Sequence, residues 1–310
     1  MPDIKNFLDM GGWIDDQSKV QATMETLKHP LFLPAASAIR ESGKGKVVLL
    51  YKFVEKLVGS YNVRRQDGPD CVAFGAASAI DAVKATEIVS KKQMEEWISE
   101  TSTEDIYGGS RVNIGRGELG NGGGSFGAWA AKYVNEIGTL VRMAYGKYDL
   151  TTYNYNVANK WGSPGNGLPD LLVKEANKHK IKTVSLVKTY AEVRDSICNG
   201  YAVTIASNQG FSTVRDREGF ALAQGTWGHQ MCILGVDDIG KDCSRNRPGV
   251  LCQNSWGRDW ITGPKRHGQP DGSFWIDADV LESRILSNGD SWAFSDYDGF
   301  LPKKLNLRII

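Results

Sequence analysis

Apolar positions follow two regimes along this chain. Up to about residue 180 most recur at helical spacing; beyond it they alternate or bunch in short runs divided by turn residues. The longest helical stretch opens at Cys71 and runs to about Val89. Val72, Ala73, Phe74, Ala76, Ala77, Ala79, Ile80 and Val83 cover most faces of its first half, which predicts a buried central helix. Shorter helices are expected over Asp16 to His29, Phe126 to Ile137 (Gly138 as C-cap), Pro169 to His179 and Tyr190 to Cys198. Pro30 to Pro34 reads as extended chain, Val47 to Leu50 as a short strand followed by a basic loop through Arg64 and Arg65, and glycine-rich 108–127 as irregular. Strands are expected at Thr183 to Val187, Tyr201 to Ala206, Gln230 to Val236, Gly249 to Gln253 and Ser273 to Ile276. Helices first and strands later define an α+β chain with a mainly helical lobe over 46–180 and a mainly β lobe over 181–310. Residues 1–45 form an N-terminal extension, joined through the linker Ser42-Gly43-Lys44-Gly45-Lys46.

Composition narrows the function. A net charge of +1 favours neither nucleic acid nor an anionic membrane as partner. No apolar run approaches the roughly 20 residues of a membrane span. The start Met1-Pro2-Asp3-Ile4-Lys5 has no secretory pattern, and five scattered cysteines make no disulfide framework. The chain is expected to live reduced, in the cytoplasm or in a particle assembled there.

Three residues carry the candidate chemistry. Cys71 follows Gly68-Pro69-Asp70 and opens the central helix, where first-turn amides and the helix dipole favour a thiolate. His229, preceded by Gly228, stands at the mouth of a strand, whereas His29, His179 and His267 sit in polar settings. Asn254 ends another strand in Asn254-Ser255-Trp256-Gly257; its amide can orient an imidazole, and Trp256 can shield that hydrogen bond from water. A nucleophile, a base and an orienting amide suffice for thiol acyl transfer. Taken singly, each has an ordinary structural use: a small buried cysteine, a satisfied core histidine, an asparagine at a turn.

In this order the three blocks resemble the papain family of cysteine peptidases. Gln66 to Phe74 is similar to the nucleophile block, Gly228-His229 with the apolar strand to Val236 to the histidine block, and Asn254-Ser255-Trp256-Gly257 with Trp260 to the asparagine block. Asn121-Gly122-Gly123 is a weaker echo of the glycine stretch that pairs with substrate backbone. The resemblance covers about residues 50–300. It implies a helical lobe, an antiparallel β-rich lobe and a cleft between them. It implies Cys71 as nucleophile, His229 as its ion-pair partner and proton donor, Asn254 as orienter, and the Cys71 N–H with the Gln66 amide as oxyanion hole. Gly122 and Gly123 would present backbone to a peptide or protein substrate, and no cofactor is implied. The chain departs from the pattern in places. Val72 replaces an aromatic, the family's first cysteine is missing from the nucleophile block, and Gln66 stands five residues before Cys71. Asp70 sets a carboxyl beside the thiol, and Asp237 to Pro248 is an insertion between the histidine and asparagine blocks.

Other readings stay open. A papain fold could serve as a catalytically weak or inactive binding module within a larger assembly, or could act on a peptidoglycan cross-bridge or isopeptide. Zinc held by His229, Cys232, Cys243 and Cys252 is disfavoured, because strand alternation puts the first two on opposite faces. Gly115 to Gly120 fits a G-x-G-x-x-G pattern but lacks the strand and helix of a nucleotide site. Residues 1–45 could be a pro-segment covering the cleft, a tether to a partner protein, or a plain packed extension.

Overall fold

The structure is a computed structural model that describes residues 9–90, 96–243 and 246–305. Helix α1 (Gln17–Met24) is capped by the Asp16 carboxylate, which accepts from the Ser18 and Lys19 amides. It stops short of the expected His29. The stretch expected to be extended instead makes one helical turn, Phe32–Ala35, with Pro34 in the first turn, where its missing N–H costs nothing. Strand β1 (Val47–Leu49) is followed by α2 (Tyr51–Val58), where the sequence reading expected a basic loop. Tyr51, Phe53 and Val54 bury one side of α2, and Gly59, at φ 87°, ends it.

The central helix α3 spans Cys71–Val89 as expected, and all but three of its side chains are buried. Glycine-rich 108–127 is not wholly irregular. Helix α4 (Glu104–Gly109) runs into a π-turn over Ser110–Ile114. Beyond it the glycine loop is organised by the Arg111 guanidinium, which donates to the carbonyls of Gly120, Gly122, Gly124 and Gly162. Charge-assisted bonds to loop carbonyls replace the ladder that this segment lacks. Helices α5 (Gly127–Glu136), α6 (Tyr155–Gly162), α7 (Asp170–Ala176) and α8 (Tyr190–Cys198) complete the main helical elements.

Beyond the hairpin of β2 (Ala144–Tyr145) and β3 (Tyr148–Asp149), one seven-stranded antiparallel sheet carries the second half. Its path is β4 (Thr183–Leu186), β9 (Trp292–Ser295), β5 (Val203–Arg215), β6 (Ala221–Asp237), β7 (Gly249–Gln253), β8 (Ser273–Asp277), with β1 pairing on β6. Strands β5 and β6 are about twice the expected length because they continue as a bulged hairpin over a polar stretch with little alternation. The register sets Cys232 opposite Gln253, so Asn254, one step past the end of β7, comes back towards His229. Helix α3 packs along β6, which brings its first residue to the same end.

Candidate active site

Cys71, His229 and Asn254, from three separate elements, meet at this end. The Cys71 Sγ accepts the backbone N–H of Gln230, the residue after His229, at 3.4 Å. Asn254 Oδ1 lies 2.7 Å from His229 Nε2 and also accepts the Ser255 amide at 2.7 Å. A carboxamide oxygen can only accept, so Nε2 carries the ring proton and Nδ1 is the basic nitrogen. Nδ1 makes no hydrogen bond, so the bond to the thiol is not formed here. Trp256 lies over the imidazole, with ring centroids 4.6 Å apart and planes tilted by 35°, and packs in turn on Trp227 and Trp260. This shields the His229–Asn254 bond from water and strengthens it.

Gln66 reaches the same place despite its shifted position. The Gln66 backbone N–H donates to the Ser255 carbonyl and Arg65 pairs with Trp256, so the segment lies against the asparagine loop. Ser255 Oγ donates to Gln66 Oε1 at 2.5 Å, which turns Nε2 inward. Nε2 then donates to the carbonyls of Gly68 at 2.6 Å and Met10 at 2.7 Å. Asp70 is fully buried and receives the Tyr153 hydroxyl at 2.8 Å. Burial holds its carboxyl well above the usual range against the Tyr153 hydrogen bond, which weakens its opposition to a thiolate at Cys71.

Residues 10–14 occupy the groove between these groups. Ser125 N–H donates to Gly12 O at 2.8 Å, and Ile14 N–H donates to Ser125 O at 3.0 Å, a parallel pairing about Trp13. Trp13 N–H reaches the carbonyl of Gly228, beside the catalytic candidate His229, at 3.3 Å. The Gly12 N–H is directed at the Cys71 thiol, so the edge of a peptide plane, not the face of a carbonyl, is presented to sulfur. A Cβ on Gly12 would lie 2.0 Å from the Pro69 carbonyl oxygen, so only glycine passes there. The expected substrate-pairing glycines are placed differently. Gly123 packs against Pro69 and Gly122 is tied to Arg111, while the backbone pairing with residues 10–14 is made by Ser125.

This lid dries the site. Cys71, Gln66, His229 and Asn254 are each no more than 1% exposed. Burial pushes the Cys71 thiol up to about 12 against the amides of Gln230, Gly12 and Val72, and pushes His229 down to about 4 against its bond to Asn254. Thiol and imidazole are therefore both neutral in this form. Among the described residues no group of three or more His, Cys, Asp or Glu side chains could hold a metal ion, and no helix is long and apolar enough to cross a membrane.

Solved structures share this architecture. Xylellain, a cysteine protease from Xylella fastidiosa, superposes with a TM-score of 0.60 over 93% of this chain and 96% of its own, at 19% identity. The proCathepsin B S9 of Trypanosoma congolense does so with a TM-score of 0.55 over 95% of this chain and 88% of its own, at 11% identity. No protein-family model and no curated protein sequence matches the chain. The fold is that of the papain-like cysteine proteases, in a divergent sequence.

Of the residues that sequence reading singles out, Cys71, His229, Asn254, Gln66, Trp256 and Gly228 come together here; it gives no part to Ser125, Trp13 or the buried Asp290. The pair Gly11-Gly12 ahead of an aromatic was the available sign that the extension threads a narrow gap.

Proposed function

We propose that this protein is a cysteine-type peptidase held latent by its own residues 10–14. The observation that carries the reading is the joint placement of Cys71, His229, Asn254 and Gln66 at one groove, with an extended piece of polypeptide already bound against Gln66, Cys71, Ser125 and Gly228. In the working form Cys71 attacks a peptide carbonyl as thiolate, and a thioester forms as His229 delivers its Nδ1 proton to the leaving amine. Water then cleaves the thioester with His229 as base. Asn254 keeps the ring oriented through Nε2. The Cys71 N–H and Gln66 Nε2 hold the oxyanion, each donor worth about 3–4 kcal/mol in such chemistry; Met10 O now sits on the second of these. The groove accepts extended backbone through Ser125 and Gly228, so the substrate is a peptide or protein strand.

Latency follows from three physical facts. The thiol is protonated, the Nδ1–sulfur bond is unmade, and the plug shows sulfur an N–H in place of an electrophilic face. The test is hydrolysis of a fluorogenic peptide library by the full chain, by Gly12→Ala and by Gly12→Ala/Cys71→Ala, each with a thiol-reactive epoxide. Turnover and Cys71 labelling that rise in Gly12→Ala and vanish in the double variant support the reading. A Gly12→Ala protein whose Cys71 labels readily but which cleaves nothing points instead to a binding module on this fold.

A further inference from the structure

The side chain that anchors the plug sits in a pocket of defined chemistry. Trp13 is 5% exposed, and its indole Nε1–H donates to Asp290 Oδ2 at 2.7 Å. Asp290 is fully buried and lies just before β9. It accepts two further N–H groups, from the Gly127 amide at 2.7 Å and from Trp292 Nε1 at 2.6 Å. A second acceptor stands close by: Gln230 Oε1 is buried with no partner. A Cβ built on Gly127 would lie 2.5 Å from that oxygen and 2.9 Å from Asp290 Oδ1, so glycine at 127 leaves both acceptors their room. The pocket thus has a floor of acceptors within apolar surroundings. When Trp13 withdraws, Asp290 Oδ2 keeps the Gly127 amide but loses its indole donor, and that buried accepting capacity is left for whatever enters.

We propose that Asp290 is a specificity residue of the groove, and that it selects peptides bearing a flat side chain ended by an N–H donor, tryptophan first, over phenylalanine or leucine of comparable apolar area. The inference rests on the peptidase reading for its consequence, cleavage near such residues, but the pocket itself is testable by binding. A site built to satisfy a polar group rejects the analogue lacking it more strongly than an apolar pocket rejects a missing methylene, because its own group is left unpaired.

The experiment uses full-length Gly12→Ala/Cys71→Ala, opened and unable to turn over. Fluorescence anisotropy measures binding of the labelled peptide Gly-Gly-Trp-Ile-Asp-Asp, its phenylalanine version and a version carrying benzothienylalanine, which keeps the bicyclic shape and replaces N–H by sulfur. The tryptophan peptide is expected to bind at least tenfold more tightly than both others. Asp290→Asn should bring the three within about threefold. The benzothienylalanine arm needs no change in the protein, so it decides the matter even if Asp290→Asn fails to fold. Equal affinities, a preference that survives Asp290→Asn, or no binding by any peptide overturns the proposal. Selective binding with no hydrolysis by the Cys71-containing chain would remove the peptidase reading and leave the pocket standing.

Discussion

Gly12→Ala is the sharpest perturbation the structure offers, because it adds one methyl group at the tightest point of the plug. That methyl would sit 2.0 Å from Pro69 O and 2.4 Å from Pro69 C, both backbone atoms at the turn that leads into α3. A tolerable contact is above 3 Å, so the strand must retreat by about 1 Å, enough to break bonds that were 2.7–3.3 Å long. At stake are the Ser125–Gly12, Ile14–Ser125 and Trp13–Gly228 backbone bonds and the Gln66–Met10 bond. At about 1 kcal/mol net each, with some re-formed in the displaced position, the closed state loses about 2–4 kcal/mol. Since each 1.4 kcal/mol is tenfold, the open population rises about 30- to 1,000-fold. Alkylation of Cys71 by iodoacetamide at pH 7.5, followed by peptide mapping, should accelerate by that factor. The other four cysteines are also buried and serve as internal controls. Labelling of Cys71 within threefold of the parent chain would refute the plug. So would equal acceleration at Cys232 and Cys252, which lie deep in the sheet and report global unfolding.

Other consequences follow from the same contacts. In the Gly12→Ala background, Asn254→Ala removes the acceptor that fixes His229 Nε2–H, and kcat/KM should fall about 100-fold with a small change in denaturation midpoint; an unchanged kcat/KM would remove Asn254 from the mechanism. His229 is held neutral by burial, at about 4 against 6.5 for the free group, so the unfolded chain takes up a proton at a higher pH than the folded one does. Its share of stability, at most about 3 kcal/mol, is complete above pH 6.5 and is lost as the pH falls towards 4. Denaturant titrations should show a loss between pH 7 and 4.5 that His229→Gln flattens. Arg111→Met strands four loop carbonyls and should cost about 2–4 kcal/mol in urea unfolding; a neutral result would mean that water replaces the guanidinium freely.

The fold was legible wherever burial imposed one period on a long segment. Helix α3 was read from its first residue to about its last, since its small and apolar side chains suit a buried helix, and the short strands β4 and β7 were bounded within a residue. Reading failed where tertiary partners override local pattern. Tyr51 to Val58 mixes charge with aromatics and gains its helix by burying Tyr51 and Phe53. The long β5–β6 hairpin carries Asn208, Gln209, Gln224 and Thr226 without regular alternation, because register shifts interrupt it. The π-turn at Ser110 depends on one arginine bonding backbone far ahead of it, which no window of neighbours reveals.

The site divides along the same physical line. The residues proposed to make the chemistry carry distinctive side chains, so Cys71, His229 and Asn254 could be picked out one by one. Residues that make the groove act through backbone, and backbone is silent in sequence: Ser125 contributes its N–H and C=O, Gly228 its carbonyl, Gly12 the absence of a Cβ. Asp70 and Gln66 show the converse error. Each looked unfavourable by type or spacing, yet burial raises the Asp70 carboxyl well above its ordinary range against the Tyr153 hydroxyl that donates to it, and Ser255 Oγ turns the Gln66 side-chain amide towards the cleft. In the proposed reading, the same burial that hides the thiol lets latency arise without chemical modification. While residues 10–14 exclude water, neither ion of a thiolate–imidazolium pair is solvated, and the neutral pair is the stable one. In the proposed working form, with residues 10–14 gone, water and the helix α3 dipole both favour charge separation, which would make exposure of the groove and activation of Cys71 one event.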